Sequence, residues 1–465
     1  MVGVGVWMGR RQWVAVAAGL LALAGAVPSS AADLGGNCCA DLEERIAELE
    51  ATTARKGNRK VSLEVYGQVN ESIIYWDDGV EDNAYVVTND NSRTRFGFRG
   101  KAKINSDFEA GYRIEIGIRT ANSKRFTQDN DEGDGNPTDV GFDLRDSYWY
   151  LKSKTYGGVS VGQQADATDA ITETNLTQTK DFSKYSDVED TGLGLFLRST
   201  DGGLSARSYR NLLGDSGDQP GDGDRRQNTV KYESPTFAGF TASASWGEDD
   251  VWDIALRYAG EFAGFKLAAG IGYGKITDGP ETKIECPSRG GGAPHDEDCQ
   301  QVGGSISIIH EATGIFVNFG AGQKKDDVLS GAEIFVGTNP DDKDAFWAVQ
   351  AGIEKKFNSL GKTTIYGEYF DYEGSSQNRT LADDDAVNPF APGSRAAIWD
   401  TGLTVYGAGI AQGIDAAAMV LYLSYRHVEA DLTVREVVGG VATGPIADAP
   451  IEDLDLVQAG AVIKF

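Results

Sequence analysis

The sequence predicts an all-β fold, a transmembrane antiparallel β-barrel with a short N-terminal periplasmic helix. Three observations predict this fold. The chain begins with the features of a secretory signal, its later segments alternate apolar and polar residues, and short turns alternate with long acidic loops. Such alternation is typical of a membrane barrel, whose apolar face meets lipid while its polar face lines the lumen.

The first element is a predicted signal peptide over residues 1–32. Two arginines precede an apolar run from Trp13 to Val27, and small residues then lead to Ala32, where we expect cleavage. This order of charge, apolar core and small residues is the pattern of a secretory signal. The apolar run is shorter than the roughly 20 residues that a membrane-spanning helix needs, so we expect it to direct export.

The second element is a predicted periplasmic helix within residues 33–58. Leu42, Ile46 and Leu49 follow the spacing of the apolar stripe of a coiled coil. A helix of this length is marginal when alone in water. Two interpretations follow: a coiled coil between copies that the barrels hold close, or a solitary helix lying on other parts of the chain.

The predicted barrel spans residues 59–465, where the apolar period changes from that of a helix to that of strands. From Val61 to Val69 apolar residues take the odd positions, and from Arg93 to Ile104 cationic residues share one face with phenylalanines opposite. About eighteen such segments can be counted, of which the weak ones near residues 193 and 204 also fit an elaborated loop. A soluble β-sandwich would satisfy the same alternation.

The connections favour the membrane barrel over the sandwich. Short turns are predicted at Asn105 to Asp107 and at Ala408 to Gly413, among others, while polar, acidic loops run over Asp77 to Asn91 and Ile276 to Gln301. Membrane barrels have short turns on one side and long loops on the other. The apolar faces are also about ten residues long, as a tilted membrane strand requires.

The composition argues against several classes of function. A formal net charge of −27 makes nucleic acid an improbable partner, because a polyanion would be repelled. The three histidines, His295, His310 and His427, lack the mutual spacing of a metal site. Neither a nucleophile-elbow motif nor a phosphate-binding glycine loop is present. We therefore predict no enzyme activity, no cofactor and no metal.

The cysteines agree with an oxidising compartment. Cys286 and Cys299 bracket a polar loop and are predicted to form a disulfide. Closing a loop of this size would stabilise the fold by roughly 3 kcal/mol in the chain-entropy model. A metal site that includes His295 is the alternative interpretation.

The C-terminal strand carries the most specific pattern in the chain. The polar residue Gln458 and Gly460 precede Ile463 and the terminal Phe465, with an apolar face on the odd positions. This arrangement resembles the signal read by the outer-membrane barrel-assembly machinery, which we expect as a partner. An ordinary buried terminal strand is the alternative.

Two longer runs and the terminal Phe465 resemble one family, the alphaproteobacterial porins of the Rhizobium and Brucella type. The runs are CADLEERIAELEATTARKGNRKVSLEVYGQVN, which begins at Cys39, and SRTRFGFRGKAKINSDFEAGYRIEIG. The resemblance covers the chain after the signal peptide. It implies homotrimers of barrels in an outer membrane of lipid and lipopolysaccharide, usually with sixteen strands, that pass small hydrophilic solutes by diffusion.

Porins of this kind narrow the pore with a long loop after the fifth strand, and a loop at about residues 164–191 holds that place here. It lacks Gly and Pro, so we expect it to fold into the lumen; an external loop is the alternative. Opposed charges across the waist would set up a field that orders water, whereas separately solvated ion pairs would not. The residues predicted to line this constriction are Arg93, Arg95, Arg99, Arg113 and Arg145 on the wall, and Asp166, Asp169, Glu173 and Asp181 on the loop.

Three functions remain open at this point. The preferred hypothesis is a general diffusion porin, with a weak preference for cations from its acidic external loops. The alternatives are a substrate-specific channel, for which Tyr66 and Trp149 would face the lumen, and a structural barrel tethered to the cell wall by its helix.

Overall fold

The computed structural model describes most of the chain from residue 60 onward. The predicted signal peptide and the helix with Leu42, Ile46 and Leu49 lie outside the described residues, so both stay predictions. The described ranges, which belong to one compact unit over Gly57–Phe465, are 60–133, 141–213, 218–223, 226–247, 251–276, 299–326, 343–374, 380–390 and 392–465.

Strands dominate the described residues. The helices there are single 3-10 turns at Asp90–Ser92, Gln178–Asp181, Val188–Asp190, Tyr209–Leu212 and Asp415–Ala417. No helix among the described residues has the length and apolarity to cross a membrane. The strands are β1 (Glu64–Asp77), β2 (Asp82–Thr88), β3 (Arg95–Lys103), β4 (Phe108–Arg119), β5 (Gly141–Ser153), β6 (Gly157–Ala165), β7 (Phe196–Arg198), β8 (Leu204–Ser208), β9 (Arg226–Glu233), β10 (Phe240–Gly247), β11 (Val251–Phe262), β12 (Phe265–Ile276), β13 (Cys299–His310), β14 (Ile315–Asp326), β15 (Lys343–Lys355), β16 (Thr363–Gly374), β17 (Thr380–Leu381), β18 (Arg395–Ile414), β19 (Met419–Val438), β20 (Val441–Asp448) and β21 (Leu454–Lys464).

Sixteen of these strands form a closed antiparallel barrel, which confirms the predicted fold class. Each pairs with its neighbour along the chain, and β1 pairs with both β3 and β21, so the ring has no free edge. Closure satisfies the backbone groups that an open edge would leave bare in lipid. The short strands β2, β17 and β20 extend the sheet beyond the ring, and β7 pairs only with β8. The weak segments near residues 193 and 204 therefore belong to a loop, and sixteen is the strand number.

The outer surface of the barrel exposes the apolar residues that the alternation predicts. Val69 and Ile73 on β1 and Ile254 and Leu256 on β11 are exposed, while Gln68 between its apolar neighbours is buried. Exposed aromatic side chains gather near the turns at one end and near the loops at the other, as in the aromatic girdles of membrane barrels. They include Tyr156, Phe237, Phe262, Phe357 and Phe465 at the turn end, and Phe142, Trp246 and Trp347 towards the loop end.

The turn predicted at Ala408 to Gly413 is wrong. These residues lie inside β18, and the chain reverses at Asp415–Ala418, where Ala418 has a positive φ of 46°. The small residues that suggested a turn have a packing role instead. A Cβ atom on Gly409 would lie 2.5 Å from the Tyr366 hydroxyl oxygen, so glycine makes room for that ring.

A β-bulge changes the facing of β5. Glu115 pairs with Asp146, and the next residue of β4, Ile116, pairs with Leu144, so Arg145 is the additional residue. A bulge shifts every later side chain of its strand to the opposite face. Trp149, which we expected to face the lumen, is consequently more than half exposed on the outer surface.

The loop end of the lumen is partly filled by an apolar cluster. Residues 193–213, which follow the predicted constriction loop, bring Leu193, Leu195 and Tyr209 against inward side chains such as Phe370. Aromatic residues on the inner face of a barrel strand would be unfavourable in water. The docked segment covers Phe370 and Tyr372, which are both 1% exposed, and explains why the inner face of β16 is apolar near its loop end.

Candidate functional site

The five arginines predicted to line the lumen lie on or next to the adjacent strands β3, β4 and β5. Arg95 begins β3, Arg99 lies at its centre opposite Arg113 of β4, and Arg93 lies two residues before β3. Arg145 is the bulged residue of β5, so it faces inward beside its neighbour Asp146. We call this inner face of β3, β4 and β5 the arginine wall.

Glu115 is the centre of the arginine wall. It is 1% exposed and accepts hydrogen bonds from Arg113 at 2.5 Å and from Arg145 at 2.8 Å, with Arg95 at 3.8 Å. Arg113 also reaches Asp146, at 2.8 Å. Shared between several guanidinium groups, this buried carboxylate holds cations of like charge side by side.

A second group of ion pairs extends the wall towards the loop end. Arg93 lies 2.9 Å from Asp143, and Arg119 lies 2.9 Å from Asp90. Burial alone would raise the pKa of Asp90, but Arg119 and Arg93 outweigh it and hold that pKa below its usual range. Six guanidinium groups of the wall therefore contact four carboxylates. The guanidinium groups belong to Arg93, Arg95, Arg113, Arg119, Arg145 and Arg226, and the carboxylates to Asp90, Glu115, Asp143 and Asp146.

Arg99 differs from the other predicted arginines. It is about half exposed, forms an ion pair with Glu64 at the start of β1, and places its guanidinium 4.9 Å from the centre of the Tyr66 ring. The Arg113 guanidinium lies 5.4 Å from the same ring. Tyr66 thus lies within cation–π distance of both guanidinium groups and stabilises both through its ring face.

The loop at residues 165–190 follows the inner face of the remaining wall. Its hydrogen bonds reach the inward side chains of successive strands, from Asp253 on β11 through Ser305 on β13 to Gln350 on β15 and Glu368 on β16. Between the contacts with β15 and β16, Asn70 of β1 donates to the carbonyl oxygen of Asp181 at 2.9 Å. The loop therefore runs along β11 to β19 and reaches β1, facing the arginine wall.

Arg426 of β19 is the most heavily bonded anchor of this loop. It is 2% exposed and donates to Glu368 at 2.7 Å, to the Lys184 carbonyl at 2.7 Å and to the Val188 carbonyl at 3.3 Å. Sequence reasoning missed this residue. Its signal was an arginine at the end of the apolar run from Met419 to Tyr425.

The predicted loop carboxylates are placed along the loop and do not form ion pairs with the five predicted arginines. Asp181 pairs with Lys464 of β21 at 2.7 Å, and Glu173 pairs with Lys184 of the loop at 2.8 Å. Asp166 is buried near Asp253 of β11, and burial together with this charge raises its pKa well above the usual range. Asp169 is partly buried beside Arg257, which donates to its carbonyl oxygen at 2.7 Å.

The two sides of the lumen carry opposite charge excess. Residues 165–190 contain seven carboxylates and two lysines, a formal charge of 2 − 7 = −5. The arginine wall has more guanidinium groups than carboxylates in its contacts. Solutes that pass between the two sides would meet a transverse field, which favours polar over apolar molecules.

The predicted assembly residues occupy the two faces of β21. Gln458 is buried and donates to the Ser72 hydroxyl at 2.9 Å, and Gly460 leaves room for the Tyr422 ring. Ile463 and Phe465 are exposed on the outer surface, and the Phe465 backbone pairs with Gly67 of β1. Cys299 begins β13, whereas Cys286 lies outside the described residues. The disulfide therefore stays a prediction.

Comparison with known proteins identifies the chain by family. The model of the Gram-negative porin family matches residues 15–395. A chitoporin of Vibrio furnissii is 26% identical over 196 residues, so the chain spans 42% of the length of that curated relative and the match covers 42% of this chain.

Solved structures show the same fold at low sequence identity. An anion-selective porin from Comamonas acidovorans matches with 16% identity, a TM-score of 0.50, and coverage of 87% of this chain and 100% of its own. OprB of Pseudomonas putida matches with 11% identity, a TM-score of 0.52, and coverage of 91% and 97%. Both likenesses concern the fold alone.

Proposed function

The chain belongs to the Gram-negative porin family, and from this premise we propose that it forms a water-filled channel for passive diffusion of small hydrophilic solutes and ions. It is an integral outer-membrane β-barrel. Porins are channel proteins, and we assign no enzymatic activity to this one. The runs from Cys39 and Ser92 support placing it with the Rhizobium and Brucella type.

One observation carries the proposal for the pore. The loop at residues 165–190 is bonded to the inner face of β11 to β19, while the arginine wall is held by its own carboxylates. The two charged surfaces therefore face each other without direct pairing between the predicted residues. We propose that they form the constriction, with the loop carboxylates opposite Arg95 and Arg113.

A bilayer recording tests this function. Purified protein in planar bilayers should give large, ohmic single-channel conductance that rises in proportion to salt concentration. Small conductance that saturates and is blocked by one solute class would contradict general diffusion. No conductance from correctly folded barrels would support a purely structural role.

A sugar-specific channel is the second candidate, and two observations favour it. The curated relative named above is a chitoporin, and the Tyr66 ring lies beside Arg99 and Arg113 on the arginine wall. Aromatic rings and charged groups together bind sugars in many sites. Trp149 does not add to this surface, because it faces outward. Block of the ion current by chito-oligosaccharides, but not by maltose-type sugars of equal size, would favour this candidate.

The assembly remains part of the proposal. We propose a homotrimer in lipid and lipopolysaccharide, inserted by the barrel-assembly machinery through the strand that ends in Phe465. The exposed aromatic girdles and the exposed Ile463 support contact of this outer surface with lipid or with neighbouring barrels.

A further inference from the structure

Three buried carboxylates form a cluster inside the loop. Asp187, Glu189 and Asp190, which we call the acidic trio, each offer one oxygen atom within 4.8 Å of the oxygens of the other two. All three residues are at most 6% exposed. Carboxylates this close repel each other unless a cation or protons lie between them.

Two lysines contact the trio without satisfying it. Lys124 lies 3.1 Å from Glu189 Oε1, and Lys184 lies 2.5 Å from Asp187 Oδ2. Among the described residues, the Asp190 carboxylate has only long ion pairs, 3.5 Å to Lys124 and 4.0 Å to Lys184. Among the described residues no hydrogen-bond donor reaches Glu189 Oε2, although that side chain is 1% exposed. A buried oxygen without a partner is costly.

Further oxygen atoms surround the trio. Asp218 Oδ1 and Gln219 Oε1 are also buried and lack donors among the described residues, while the Gln219 amide donates to Asp187 at 2.5 Å. Asp218 is fixed by Lys124 at 3.1 Å. Five oxygen-bearing side chains thus converge at this place, and carboxylate and amide oxygens are the ligands that hard divalent cations prefer.

The local charge also points to a cation. Among the described residues, six carboxylates interact here with three cationic groups, so 6 − 3 = 3 negative charges are uncompensated within this set if all are ionised. The set consists of Glu173, Asp187, Glu189, Asp190, Asp218 and Asp222 against Lys124, Lys184 and Arg210. Arg119 and Arg426 lie within charge range but are paired with Asp90 and Glu368.

We propose that Asp187, Glu189 and Asp190 bind one divalent cation of the Ca²⁺ class inside the loop, with Asp218 and Gln219 as further oxygen ligands. Each carboxylate oxygen has two lone pairs, so an oxygen that accepts from a lysine can still bind the ion. The ion would join the 3-10 turn Val188–Asp190 to the segment around Asp218. Two parts of the lumen that are distant in sequence would then be held together.

Metal content and calcium binding test this proposal on the full-length protein in detergent. We expect about one Ca²⁺ per chain by elemental analysis after equilibration with CaCl₂, and a lower melting temperature after EDTA. Asp190→Asn and Glu189→Gln should each weaken ⁴⁵Ca²⁺ binding at least about tenfold, because ligand charge sets affinity. Asp383→Asn, on the exposed segment between β17 and β18, is the matched control and should bind as the wild type does.

The opposite results overturn the proposal. They are wild-type protein that holds no Ca²⁺ and melts at the same temperature with Ca²⁺ or EDTA, or equal binding in Asp190→Asn and wild type. If the variants do not fold, the wild-type stoichiometry and EDTA response alone decide. A wild type without bound ion that grows more stable as the pH falls would show that protons neutralise the trio instead.

Discussion

Glu115 shows how single residues organise the arginine wall. This buried carboxylate binds Arg113 and Arg145 and lies near Arg95, so cations of like charge are kept on one surface. Removing this carboxylate would take an ion-pair partner from each of these arginines, of which Arg113 keeps Asp146, at a cost of about 3–5 kcal/mol. The arginines, rather than Glu115, are therefore the better residues to replace in order to change the pore.

Neutralising Arg95 and Arg99 should shift ion selectivity. The double variant Arg95→Gln/Arg99→Gln removes two positive charges that face the acidic loop, so we expect higher conductance and a reversal potential displaced towards cation preference in a KCl gradient. Lys356→Gln, in the exposed turn between β15 and β16, removes a charge outside the lumen and is the control. Unchanged conductance and reversal potential would mean that neither arginine lines the constriction.

Asp78 should make the loop end of the barrel sensitive to acid. Burial alone would raise the pKa of Asp78, but the Glu81 amide, Arg198, Gln128 and the Val80 amide outweigh burial and lower it. Because the folded-state pKa lies below the unfolded one, this stabilisation is present above the usual carboxyl range and lost as the pH falls through the lowered value.

The measurement for Asp78 is amide hydrogen exchange of residues 196–208 as a function of pH. Protection there should fall in acid in the wild type, whereas Asp78→Asn should already show low protection at neutral pH. Tyr75 and Asp82 lie at the neighbouring exposed hairpin, and Asp82→Asn is the control. Equal protection in the wild type at both ends of the range would contradict the prediction.

At the scale of elements, the sequence predicted the strands well, but it predicted less well which side chains of each strand point into the lumen. Alternation in β1, β3 and β4 predicts that the arginines lie on the inner face, because these strands keep a strict period of two. In β5 the bulge at Arg145 broke the period, and nothing in the local residues distinguishes a bulged strand from a regular one. Trp149 was misplaced for that reason.

The turn predicted in β18 failed for a related reason. Small residues were interpreted as a turn, although their role is to accept the Tyr366 ring from the adjacent strand. Contacts between strands far apart in sequence decide such positions. The docking of residues 193–213 inside the barrel could not be predicted from the sequence either, because it depends on the combined inner faces of six or more strands.

The contact of Arg426 of β19 with the loop should contribute to the free energy of unfolding. Arg426→Met keeps the length of the side chain but leaves Glu368 buried and unpaired, so we expect a loss of about 3–5 kcal/mol in the free energy of unfolding and noisier open-channel current. The double variant Arg426→Met/Glu368→Met removes both charges and should be less destabilised than the single variant. Urea unfolding followed by tryptophan fluorescence measures this; equal losses in the two variants would argue against a charge-pair role.

At the scale of the whole molecule, we expect three barrels to assemble. A coiled coil of Leu42, Ile46 and Leu49 would add to contacts between barrels, and replacing all three with serine should lower the melting temperature of the trimer without changing the barrel fold. Gel mobility of unheated protein and native mass spectrometry measure the oligomer. Replacing Glu43 and Glu44, which lie outside the predicted apolar stripe, with serine is the control. Monomers alone in the wild type would contradict trimerisation.

The many anchors of the loop have a consequence for how ions move. Its bonds reach β1, β11, β13, β15, β16 and β19, so swinging it aside would break all of them at once. The passage of ions then requires no rearrangement of the protein, because water and ions move through a constriction of fixed width. The activation energy of conduction should equal that of the bulk electrolyte, and current should rise with temperature at the same rate as the conductivity of the surrounding salt solution.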